Sequence, residues 1–159
     1  MRRQDVPIRV LISCVLLVGC ADQPGHPAPG SAPGHDAMRQ AASALLDGIR
    51  QYDNGNFKGA IATLDGPDLQ AAPDAMRVEA LKYTAFSHCV MNEEAPCRQA
   101  FDQALDLDPD FALRPSERGH PTWGPVFDAA KSASEQQRAQ ASTERERERW
   151  RGTDLWRAR

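Results

Sequence analysis

Cys20 stands directly after Leu17-Val18-Gly19. Small residues ahead of a cut let an extended chain enter a peptidase cleft. A cysteine at the new N-terminus then offers a thiol that can be acylated, so Cys20 is the candidate lipidation residue. Cys89 and Cys97 lie further along, an even pair suited to an oxidising compartment. A disulfide between them would staple a helical turn; two buried thiols are the alternative. His26, His35, His88 and His120 are scattered, without the second Cys or His pair that zinc needs, and no metal ligand is assigned. Asp106, Asp108 and Asp110 read as turn chemistry, because the glycine and terminal glutamate of a calcium loop are missing. The chain carries no phosphate-cradling glycine loop, no HExxH and no GxSxG. No catalytic residue and no cofactor are assigned, and the chain is not expected to be an enzyme.

The residues before Cys20 explain how its thiol would reach a lipid. Arg2 and Arg3 open the chain, and Val10 to Val18 runs without a charge. That run is shorter than the roughly 20 apolar residues of a membrane span, but it has the length of a signal-peptide core. Charge, apolar core and Leu17-Val18-Gly19-Cys20 in this order resemble the lipobox of bacterial lipoproteins. The resemblance implies cleavage before Cys20 and fatty acylation, palmitate included, of its thiol and new amine. Ala21 rather than Asp follows, which favours the outer membrane, with the folded part facing the periplasm. Residues 21–36 hold four Pro and three Gly and read as a disordered, solvated tether.

The folded part is expected to be all-α. Asp36 reads as an N-cap, followed by Met38, Ala41, Leu45, Ile49 and Tyr52 at helical spacing. Phe57, Ala60, Ile61 and Leu64 mark a short second helix, ended by Asp65-Gly66-Pro67. Asp74 caps a third helix carrying Val78, Leu81, Ala85 and Cys89; beyond a break at 92–96, Cys97, Ala100, Phe101, Ala104 and Leu105 mark a fourth. Helix, turn, helix, twice over, resembles the 34-residue tetratricopeptide repeat, with 41–74 and 78–111 as its copies. Gly48, Gly55, Phe57, Ala60 and Leu64 fit the first copy, and Ala85, Phe101, Ala104 and Pro109 the second. Pro67 and Cys97 stand where that pattern wants Ala.

Two repeats are fewer than a solenoid needs, so a cap is expected. Residues 111–124 read as a loop, and Pro125 suits the start of a fifth helix. Trp123, Val126, Phe127 and Ala130 would cover the second repeat. The segments expected are a signal peptide at 1–19, lipidated cysteine and tether at 20–36, a helical domain at 37–133, and a charged, fraying tail at 134–159. Glu144 to Arg149 alternates in sign, with opposite charges at i+3 and like charges at i+4, so it adds little helix support. Trp150 and Trp156 could anchor a partner from that tail.

A net charge of −3 and a mean hydropathy of −0.57 argue against a nucleic-acid binder and a multi-pass membrane protein. The lipobox, the paired Cys89 and Cys97, Leu107 to Phe111 and above all Gly119-His120-Pro121-Thr122-Trp123-Gly124-Pro125-Val126-Phe127 resemble the TssQ family. Those are tetratricopeptide lipoproteins associated with type VI secretion systems. The resemblance implies an envelope scaffold or adaptor, with secretion-apparatus proteins as partners and no small-molecule substrate. Partner contact is expected on the concave repeat face or around His120, Trp123 and Phe127. The alternative is a pilotin-like or outer-membrane assembly-factor lipoprotein.

Overall fold

A computed structural model describes the backbone of residues 33–157 and the side chains of 34–151. The signal peptide, the Cys20 lipidation site and most of the expected tether lie outside the described residues, as does the side chain of Trp156. All described secondary structure is helical: α1 (Pro33–Asp53), α2 (Phe57–Leu64), α3 (Pro67–Gln70), α4 (Asp74–Val90), α5 (Glu94–Leu107) and α6 (Gly124–Arg157). No described helix is long and apolar enough to cross a membrane.

Several boundaries differ from those expected. Helix α1 begins at Pro33, inside the stretch read as tether, and Asp36 lies in its first turn, paired with Arg39 rather than capping. Proline is favoured there because its missing N–H would have no intrahelical acceptor. Asp74 is likewise the first residue of α4, preceded by Pro73, and pairs with Arg77 at 3.0 Å. Pro96 falls within the first turn of α5, where its missing donor costs nothing. Helix α2 does carry a side-chain cap: Gly59 N–H donates to Asn56 Oδ1 at 3.2 Å. The single turn α3 was not expected, since four residues have no period to read. It inserts Leu69, 2% exposed, beneath α1 and α4. The expected change at 133/134 is a change of burial and not of backbone: α6 continues through it, with 142–151 exposed.

Helix α1 packs on α2, both pack on α4, α4 packs on α5, and α5 on α6. Close approach of α1 and α2 depends on Gly48. A Cβ there would lie 2.4 Å from Leu64 Cδ2, and Leu64 fills the space instead. One apolar cluster joins Ala41, Ala60, Leu64, Leu69 and Ala80. A larger one centres on Phe86, Cys97, Phe101, Ala104 and Leu105 and extends to Trp123, Phe127 and Ala130. The expected capping role of α6 thus has a physical basis in three buried side chains at or near its start.

Cys89 and Cys97 form a disulfide between the end of α4 and the first turn of α5. Both sulfurs sit in the larger cluster. Closing so short a loop removes little unfolded-state entropy, contributing about 2 kcal/mol. The turn it staples needs Asn92 at φ 60°, a left-handed position that asparagine tolerates better than most residues.

Candidate functional site

Helix α4 presents two opposite faces, and the rest of the chain treats them differently. Glu79, Lys82 and Phe86 point to one side, and the segment 108–123 folds back across them. Its Phe111 and Leu113 are 8% and 2% exposed, so this loop is part of the core. Helix α6 pins its start, with Lys131 Nζ donating to the carbonyls of Pro109 (2.8 Å) and Phe111 (2.9 Å).

Charge holds the loop's other end. The Lys82 ammonium is nearly enclosed, its side chain 2% exposed. It donates to Glu79 Oε1 at 2.8 Å and Glu117 Oε1 at 2.9 Å, and lies 4.8 Å from the centre of the Tyr83 ring. Arg114 donates from its guanidinium to Glu79 (2.7 Å) and from its backbone N–H to Glu117 (2.9 Å). Two carboxylates and two cations therefore neutralise one another, with Lys82 and Glu117 on the enclosed side and Arg114 on the solvent side. A buried charge persists only when paired in this way.

Of the residues expected at a partner contact, Trp123 and Phe127 are buried, and the chain packs both internally. Trp123 is 8% exposed, sandwiched between Phe86 (centroids 4.3 Å apart) and the ring of His120 (3.4 Å). Its indole N–H donates to the Glu117 carbonyl at 3.0 Å. Phe127, 7% exposed, packs edge-on to Phe101 and Phe111. Only His120 keeps partial access to solvent, and its Nδ1 accepts the Thr122 backbone N–H at 3.2 Å. Glycine and proline around Trp123 signalled a loop, but nothing local signalled that the loop turns inward. Trp150 is 68% exposed on α6.

Tyr52 and Tyr83 continue the aromatic series toward α1, their rings 5.3 Å apart. Burial, first of all, holds both phenols above their ordinary 10.0; for Tyr52 the neighbouring Tyr83, Asp53 and Glu117 add to it, while Lys82 opposes it at Tyr83. The unfolded chain therefore releases these protons first as pH rises. Stability is full below pH 10 and is lost as pH climbs through the raised values. These are the chain's two tyrosines, so tyrosinate absorbance reads them alone. We expect it to appear at higher pH in the native protein than in urea. Coincident titrations would show that the rings are solvated.

The opposite face of α4 is open. Arg77, Ala80 and Leu81 line a groove of about 500 Å3 with Leu64, Leu69 and Leu107. Asp65, Gln70, Gln103 and Asp106 form its rim. Burial pushes the Asp65 carboxyl up, while His88 and the Thr84 hydroxyl pull it back. Residue spacing did not point to this groove, because its walls come from four separate elements. Among the described residues, no three of His, Cys, Asp and Glu lie together as metal ligands.

No family model, no curated protein and no solved structure matches the chain.

Proposed function

We propose that this chain is a lipid-anchored envelope adaptor, held to the membrane through Cys20 and gripping a partner protein in the groove between α2–α3 and α4–α5. The groove is the observation that carries the reading. It has a leucine floor and a rim of carboxylates and amides, with Arg77 at one side. Such a surface suits an amphipathic segment of another polypeptide, whose apolar side chains reach the floor while its polar ones meet the rim. The helical pairs α1–α2 and α4–α5 support a repeat-like scaffold of the kind that grips other proteins. The lipobox-like start supports anchoring in the outer membrane, facing the periplasm. The GHPTWGPVF stretch supports a type VI secretion system as the machine served.

The test is a crosslinked pull-down from detergent-solubilised envelopes. It compares the wild type with Gln103→Arg/Asp106→Arg, which crowds the rim and reverses its charge without touching the core. We expect secretion-apparatus components with the wild type and at least a tenfold loss with the variant. Equal recovery would remove the groove from the reading. A pilus or porin subunit in its place would establish the assembly-factor role instead. Cys20→Ser is expected to abolish acyl labelling and release the protein from membranes, and labelling that survives would remove the anchor.

A further inference from the structure

We infer that the outer face of α1 is a docking surface for a second copy of this chain, paired antiparallel about Leu46. A face flanking the buried stripe of α1 carries His35, Arg39, Ala42, Leu46, Ile49 and Asp53. Ala42, Leu46 and Ile49, spaced 4-3, form a short apolar stripe at the middle of this face, with His35, Arg39 and Asp53 at its ends. A solvated face gains nothing from that pattern. Leu46, at its centre, is 65% exposed in the middle of a 21-residue helix, with Ala42 and Ile49 half-buried beside it. The C-terminal end of the helical stack is covered by α6, but no described element covers this one.

Charge symmetry identifies the occupant. Arg39 lies seven residues before Leu46 and Asp53 seven residues after it. A two-fold axis through Leu46 therefore sets Arg39 of each copy against Asp53 of the other, about 10 Å to either side. A parallel pairing would instead stack like charges. The same axis places Ile49 over the small Ala42 and Ser43 of the mate, so bulk meets space at both ends. The existing Asp36–Arg39 pair is exposed, and such pairs exchange readily. One helix pair buries less than the roughly 1,200 Å2 of a standard interface, so association is weak and depends on concentration.

Sedimentation of the full chain in detergent micelles, over a wide concentration range, tests this. The wild type is expected to dimerise reversibly, and Leu46→Glu to raise the dissociation constant more than about tenfold. Arg39→Glu should weaken association, and Arg39→Glu/Asp53→Arg should restore it to within about threefold. Circular dichroism should show the same helicity throughout, since all three positions are exposed. In intact envelopes, a photo-crosslinking amino acid at position 46 should trap a homodimer, and one at position 128 should not. A chain that neither sediments as a dimer nor crosslinks at 46 overturns the proposal. So does a dimer that ignores Leu46→Glu, or a double variant that stays monomeric. Partner capture through the groove is read separately and does not depend on the outcome.

Discussion

Trp123→Ala will lower folding stability by about 3–5 kcal/mol, the range for truncating a large aromatic inside a core. Phe86 would lose its stacking partner, His120 its platform, and the Glu117 carbonyl the indole N–H that it accepts at 3.0 Å. The chain segment 108–123 would then be held by Phe111, Leu113, the Lys82–Glu117 and Arg114–Glu79 contacts and the Lys131 bonds to its first carbonyls. Denaturant unfolding followed by circular dichroism measures the loss, and a fall in melting temperature of about 12 °C or more accompanies it. A midpoint unchanged from the wild type would mean that Trp123 does not belong to the core. The consequence for binding experiments is direct: lost partner capture in Trp123→Ala would report unfolding, which is why rim residues are the ones to change.

Lys82→Ala is expected to cost about 3 kcal/mol or more, because it leaves the Glu117 carboxylate, 13% exposed, with only the long 4.0 Å contact to the exposed Arg114 guanidinium as counter-charge. Glu79 suffers less, since Arg114 still reaches it from solvent. The asymmetry yields a sharper expectation. Lys82→Met/Glu117→Gln removes both charges, keeps volume, and leaves an amide oxygen to accept the Arg114 backbone N–H. It should recover more than half of the loss, and the double-mutant cycle should return a coupling above 1 kcal/mol, the upper range of surface ion pairs. Additive effects would mean that Lys82 and Glu117 act independently and that the loop is held by its apolar residues only.

Four of the six described helices were legible because their apolar residues recur at the helical period, as in Ala60 and Leu64 of α2 or Cys97, Phe101 and Leu105 of α5. Gly48 was readable as a fit to the repeat pattern, and the paired cysteines as a staple, because each is a local signal in a short stretch of chain. The start of α6 was also legible, from Pro125 and the apolar residues that follow. The single turn α3 was not, being shorter than the period that would reveal it. Nor was the inward course of 108–123: Phe111, Leu113 and Trp123 keep no regular spacing, and what buries them is α4, α5 and α6 together.

Residue types and spacing by themselves determined that this protein is helical, where its main helices lie and most of the apolar residues they bury, Met38 and Ile49 of α1 excepted, since those properties depend on neighbours within a turn or two. The tertiary structure alone decided that Lys82 is enclosed and that Glu117, 35 residues away, holds it. It also decided that Trp123 serves the core and that an open groove lies on the far side of α4. Each of these depends on groups distant in the chain meeting where water is excluded, and no periodicity in one segment encodes the position of another.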